Sequence, residues 1–321
     1  MFSAIAGIVI AILAAAVMVA AYFFWVTLRI ARKAERAVPA SGSFVTVDGN
    51  RIHYVESGEG RPILMIHGLG GTLHHLRRPL MEEFGEGYRL IAIDRPGSGY
   101  STRGAELDGR LAEQARQTVR FIETLGLDRP LLVGHSLGGA IALAVALDYP
   151  DTISGLALIA PLTHYEEEPP EEFRSLAITS PLRRRIIANT VALPLAVKNA
   201  PKTLEFVFGP QQPPEDYAVA GGAMTGLRPG HFYATCTDLV AIHHDLPRQQ
   251  TRYGEIAVPV GILFGTEDRV LNYERQGLAM QGKVAGLDLE IVNGIGHMPQ
   301  YAITGQVVAF IRRIAERAFA G

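Results

Sequence analysis

The chain has 321 residues, a formal net charge of −2 and one cysteine. A near-balanced charge gives no sign of the strongly basic face that a nucleic-acid partner normally leaves, and the lone Cys236 excludes an intrachain disulfide framework. The length accommodates one large α/β domain with an insertion.

Met1 to Leu28 carries no charged side chain and is rich in Ala, Ile, Val, Leu and Phe. Roughly 20 such residues at 1.5 Å each cross a hydrocarbon core, so residues 1–28 are expected to form a transmembrane anchor. Tyr22 and Trp25 lie near its end, where amphipathic rings favour the headgroup level. Arg29, Arg32, Lys33 and Arg36 follow at once. A cleaved signal peptide is the competing reading, but its basic residues precede a shorter apolar run. The cationic flank places the C-terminal side in the cytoplasm by the positive-inside rule; the periplasmic or extracytoplasmic side is the alternative. Residues 29–42, ending in Pro39, Ser41 and Gly42, read as a polar linker.

From Ser43 onward, short apolar runs alternate with helical periodicity. Phe44–Val47 and Ile52–Val55 flank Asp48-Gly49-Asn50, a hairpin signal. Ile63–Ile66, Leu90–Ile93, Leu131–Val133, Leu156–Ile159 and Val260–Phe264 suit strands buried on both faces of a parallel sheet, and Leu287–Val292 adds another. Leu111, Ala115, Val119, Ile122 and Leu125 mark an amphipathic helix. Leu137–Leu147 is apolar all round and should be a buried helix. Ile303, Val307, Phe310, Ile311 and Ile314 mark a last amphipathic one. This alternation predicts an α/β doubly wound, mostly parallel sheet with helices on both faces.

Residues 161–256 break the rhythm. No sheet strand is predicted there, prolines recur from Pro169 to Pro229, and helical pieces are expected at Arg183–Leu193 and Phe232–Leu246. The segment reads as a helical cap inserted between core parts 43–160 and 257–321. Its acidic run, Glu166 to Glu168, reads as a solvated face. Arg183 to Arg185 fit an exposed helix face, with anionic lipid as a further contact.

Gly134-His135-Ser136-Leu137-Gly138 follows the strand Leu131–Val133 and opens the apolar helix. G-x-S-x-G in that setting is a nucleophile elbow. It lifts the Ser136 hydroxyl above the sheet and aims the Leu137 amide at a developing oxyanion. Serine needs a base to become nucleophilic. Of ten histidines, His297 lies in a glycine-rich loop between the last strand and the last helix. His135 should point away from its neighbour Ser136, and His67 should order its own loop. His74-His75 and His243-His244 lack further ligands at metal spacing and read as surface or capping residues; His164 and His231 could at most line a pocket. The imidazole needs an orienting carboxylate, and Asp268 or its neighbour Glu267 follows the strand ending at Phe264. The loop His67-Gly68-Leu69-Gly70-Gly71 offers the Leu69 amide as a second oxyanion donor.

Together these motifs resemble the α/β-hydrolase superfamily from about Ser43 to the C-terminus, with residues 161–256 as its cap. Asp94-Arg95-Pro96-Gly97-Ser98-Gly99-Tyr100-Ser101 is similar to the family's D-x-x-G-x-G-x-S turn. The order Ser136, Asp268, His297 is the family's triad order, which selects Asp268 over Glu267. The resemblance implies a serine hydrolase of the esterase or lipase-like branch, acting on a small or lipophilic carboxylic ester without metal or organic cofactor. Serine at position 136 disfavours the aspartate-based dehalogenase and epoxide-hydrolase mechanisms. Carbon–carbon bond hydrolysis with the same triad, or a non-catalytic ligand-binding protein on this fold, are the alternatives. Phe173, Phe206, Phe208, Tyr217, Phe232 and Tyr233 are candidate pocket residues.

Overall fold

The computed structural model describes residues 2–104 and 108–320; Met1 of the expected anchor lies outside them. Its centre is an eight-stranded sheet of order β1-β2-β4-β3-β5-β6-β7-β8. The strands are β1 Ser43–Val47, β2 Asn50–Ser57, β3 Arg61–Ile66, β4 Tyr88–Ile93, β5 Leu131–His135, β6 Gly155–Ile159, β7 Val260–Gly265 and β8 Asp288–Val292. β1 pairs antiparallel with β2, and β2 with β4; every later pairing is parallel. Every residue of β5, β6 and β7 is buried, as expected of strands covered on both faces.

Alternate side chains of each strand serve opposite layers. Leu64, Ile66, Leu132, Leu156, Leu158 and Ile262 join one core cluster with the helices Leu111–Thr124 and Leu137–Asp148. Ile63, Met65, Leu131, Val133, Ala157, Ile159 and Leu263 join the other, under the helix Thr304–Ala318. The sheet is therefore sealed on both sides, and only the ends of its strands are left to build a site.

In chain order the long helices are α1 Phe2–Ala37, α2 Leu111–Thr124, α3 Leu137–Asp148, α4 Pro181–Asn189, α5 Ala192–Phe208, α6 Pro229–Gln249 and α7 Thr304–Ala318. Between β6 and β7 the described residues are helical or irregular, with no strand. Prolines break this region less than expected. The segment Arg183–Leu193 is interrupted at Thr190, but α5 runs through Pro201 and α6 runs through Pro247 to Gln249. The chain ends α5 only at Gly209.

α1 is long and apolar enough to cross a membrane by length and composition. It does not stop at the apolar boundary: the segment expected to be a linker remains helical to Ala37. Arg, Ala, Lys and Glu are good helix formers, and the helix ends just before the residue that precedes Pro39. The buried residues of this second half, Thr27, Ala31, Ala34 and Val38, recur at helical spacing and form one docked stripe. Ala31 packs with Ala192 and Leu193, and Ile30, Ile187 and Phe232 close around them. The Thr27 hydroxyl donates to the carbonyl of Thr190, and Arg228 pairs with Glu35 at 3.0 Å.

Candidate active site

Ser136 stands where β5 gives way to α3, with φ 54° and ψ −120°. A non-glycine residue in this region is strained, and the surroundings must hold it there. They do: the Ser136 amide donates to Ile159 in β6, and its carbonyl accepts from Gly139 and Leu162. Glycine flanks the turn for a steric reason. A Cβ at Gly134 would sit 2.6 Å from the Gly138 carbonyl oxygen, and one at Gly138 would run into the backbone of Ile66 and His67.

His297 and Asp268, 29 residues apart in sequence, meet on loops that follow β8 and β7. The Nδ1 of His297 lies 2.7 Å from Oδ2 of Asp268. A carboxylate only accepts, so Nδ1 carries a proton, and in the neutral imidazole Nε2 is the acceptor. The other Asp268 oxygen accepts from the amides of Val270 and Leu271, each at 2.8 Å. Both side chains are buried, and neighbouring Glu267 is exposed.

His135 ties His297 to the elbow. Its Nε2 donates to the carbonyl of His297 at 2.9 Å, and the two rings lie 4.9 Å apart. Burial pushes its pKa well below the ordinary range, so it remains a neutral donor beside the imidazole.

The loop after β3 approaches from the other side. A Cβ on Gly68 would come within 2.8 Å of the Ser136 Cβ, so only glycine allows this approach. The amides of Leu69 and Leu137 donate to no acceptor among the described residues, and both residues line the cavity that contains Ser136. The Gly68 carbonyl is fixed by Arg95 Nη2 at 3.1 Å and by the Gly71 amide at 3.2 Å. In a trans peptide the C=O and the next N–H point oppositely, so these bonds turn the Leu69 amide away from Arg95.

Arg95 is the functional neighbour that the sequence left unassigned. Its Nε donates to the His67 carbonyl at 3.1 Å, and its Nη1 reaches Gln114 and, at 2.6 Å, Asp238 of α6. Asp238 also receives Arg103 at 2.7 Å. His231, on the same helix, accepts from the Gly99 amide and reaches the Gly70 carbonyl, both at 3.1 Å. The cap helix thus grips the glycine loop at two points. His67 orders this loop as expected, accepting from the Arg95 amide at 3.0 Å.

The cavity beside Ser136 has a volume of about 360 Å³. Leu162, Phe173, Leu239 and Ile242 supply apolar wall, and Glu166, Glu167 and Glu168 also border it. The acidic run is therefore cavity wall as well as solvated face. Of the six aromatic candidates only Phe173 lines it. Phe206 backs Phe173 at 5.7 Å, while Phe208 and Tyr217 pack with Met298 and Tyr301, and Phe232 lies under α1. His74 is buried instead of exposed, and His75 Nε2 meets the Tyr217 hydroxyl at 2.8 Å. Among the described residues no group of His, Cys, Asp and Glu could hold a metal ion.

A family model described as the alpha/beta hydrolase fold matches residues 61–302. The chain belongs to this family. Among curated relatives, a 2-hydroxy-6-oxononadienedioate/2-hydroxy-6-oxononatrienedioate hydrolase of Klebsiella pneumoniae is 28% identical, covering 82% of this chain and 91% of its own. A dihydrolipoyllysine-residue acetyltransferase component of an acetoin cleaving system from Cupriavidus necator is 35% identical over 40% of this chain, and that match spans only 34% of the relative. Among solved structures, a membrane phospholipase A superposes with a TM-score of 0.69 at 23% identity, covering 98% of this α/β hydrolase and 99% of that chain. At that identity the likeness speaks for the fold.

Proposed function

We propose that this α/β hydrolase is a serine esterase acting on a neutral, lipophilic carboxylic ester through an acyl-enzyme. Ser136 is the nucleophile, His297 the base, Asp268 its orienting carboxylate, and the Leu69 and Leu137 amides form the oxyanion hole. The observation that carries the reading is that a strained serine and two amides without acceptors border one cavity, while His297, paired with Asp268, is held to the elbow through His135. Nε2 of His297 takes the hydroxyl proton as Ser136 Oγ bonds to the ester carbon. The carbonyl oxygen, now negative, receives the two amides. His297 then gives its proton to the departing alcohol, deprotonates a water that attacks the acyl-enzyme, and returns the proton to Ser136 as the acid leaves. No metal or organic cofactor takes part.

Carbon–carbon bond hydrolysis is the second reading, favoured by the Klebsiella relative, whose printed substrates are dioates. The cavity speaks against a dianionic substrate here. Three glutamates border it, and no lysine or arginine does among the described residues. A desolvated carboxylate without a cationic partner costs several kcal/mol, of the order expected for an unpaired buried ion. For location, we read α1 as an uncleaved anchor that holds the catalytic domain on the cytoplasmic face.

The test is a comparison of kcat/KM for p-nitrophenyl esters of increasing chain length with that for a vinylogous 1,5-diketo dioate. Preference for medium or long neutral esters supports the proposal. Turnover of the dioate alone would replace it with the second reading.

A further inference from the structure

We propose that the exposed apolar face of α4 and the start of α5 rests in the headgroup region of the bilayer that α1 crosses. The proposal rests on the reading of α1 as an anchor. Leu182, Ile186, Leu195 and Val197 are exposed at 68%, 55%, 50% and 48%. Leu182 and Ile186 are four residues apart and share one side of α4, whereas Arg184 and Ala188 face inward and are buried. The exposed pair on α4, with Leu195 opening the next helix, offers an apolar surface of the kind that meets an apolar partner.

The position of α1 identifies that partner. The helix is unbroken from its apolar part to Ala37 and docks on the cap through Thr27, Ala31, Ala34 and Val38. The span therefore leaves the domain at a fixed place. Trp25 marks the headgroup level, Arg29 stacks over it at 4.8 Å, and Thr27 lies between them. The partner of Thr27 is Thr190, in the junction between α4 and α5. Thr190 bonds back to the Ile186 carbonyl, and Leu195 is tied to Val191, the residue after it. Ile186 and Leu195 thus lie within about one helical turn of the point where the span meets the interface, and Leu182 and Val197 within about two.

Its charge is of the matching kind. Arg183, Arg185 and Lys198 are exposed around these residues, so their cations can meet anionic headgroups while their stems lie along apolar surface. The docked face also adjoins the cavity wall, since Ala177 and Thr179 line the cavity just before α4 begins. A lipophilic ester leaving the bilayer would meet the cavity rim without crossing open water.

The test uses the full chain in vesicles of phosphatidylcholine and phosphatidylglycerol carrying a lipid-bound quencher at headgroup or mid-chain depth. A fluorophore is attached in turn to Ile186→Cys, Leu195→Cys, Leu13→Cys in the span, and Arg120→Cys on the exposed side of α2; native Cys236 is buried. Headgroup-depth quenching at positions 186 and 195, roughly threefold or more above that at position 120, is expected of an interfacial face. Deep quenching at position 13 without quenching at 186 and 195 leaves the anchor in place and overturns the docked cap. Loss of quenching at position 13 as well would overturn the anchor itself. Shielding of 186 and 195 that disappears on diluting the protein in excess lipid would assign the face to a second copy of the chain, against the proposal.

Discussion

Replacing Asp238 by alanine probes how the cap supports the site. Its side chain is 1% exposed and is shared by Arg95 at 2.6 Å and Arg103 at 2.7 Å, whose side chains are 2% and 6% exposed. Without it, two buried guanidinium groups lose their counter-ion together. Arg95 keeps Gln114 and two loop carbonyls, but Arg103 already has two nitrogens without a partner among the described residues. Removing one member of a buried ion pair costs about 3–5 kcal/mol, and the upper half of that range fits a carboxylate serving two cations. For the roughly 280 residues that follow the anchor, about 4 kcal/mol corresponds to a fall in Tm of about 7 °C. Thermal unfolding of the detergent-solubilised chain measures it. Arg103→Met added to Asp238→Ala should restore part of the loss, because it removes one stranded charge. Asp238→Asn, folded at low temperature, should lose kcat with little change in KM, since Arg95 holds the carbonyls that orient the Leu69 amide. A loss below about 1 kcal/mol in Asp238→Ala, with no recovery in the double variant, would show that Asp238 does not hold the two guanidinium groups in the fold.

Three further outcomes are expected. Gly68→Ala places a methyl group 2.8 Å from the Ser136 Cβ; displacing the loop should cost on the order of 10²-fold in kcat, as loss of one oxyanion donor does, with unfolding little changed. Acid should weaken the fold: burial lowers the pKa of His231 and His74 to about 4 and of His75 to about 3, and holds His67 and His135 well below the ordinary range. Below about pH 6.5 the unfolded chain then binds more protons than the folded one, so stability falls as pH drops from there towards 4, by up to about 1.4 kcal/mol per pH unit for each such histidine. A urea midpoint unchanged between about pH 7 and about pH 5 would contradict this. Finally, Glu167→Lys at the cavity border should raise kcat/KM severalfold for an ester with a free carboxylate relative to a neutral one, and added salt should shrink the difference.

What could be read from the sequence was local. The sheet strands announce themselves because residues such as Leu131–Val133 and Val260–Phe264 are apolar without interruption. Ser136 is legible because Gly134 and Gly138 leave their steric requirement in five consecutive residues. The Arg95–Asp238 pair leaves no such trace: its members are 143 residues apart, and the turn motif that holds Arg95 says nothing of a partner on a cap helix. His231 looked like a pocket residue for the same reason, since Gly70 and Gly99 reach it only in the fold. The helical continuation to Ala37 was obscured by charge, because a run of Arg, Lys and Glu reads as a linker until the cap is there to bury Ala31 and Ala34. Glu166 to Glu168 kept their exposure but acquired a cavity beside them, which only the packing of the cap creates.

Whether Ser136 is the acylated nucleophile is decided by labelling the 321-residue chain with a fluorophosphonate and mapping the adduct by mass spectrometry. One modified residue, Ser136, is expected, with labelling and ester turnover both lost in a folded Ser136→Ala variant. An unlabelled native chain, an adduct at another residue, or ester turnover that survives in Ser136→Ala would contradict it.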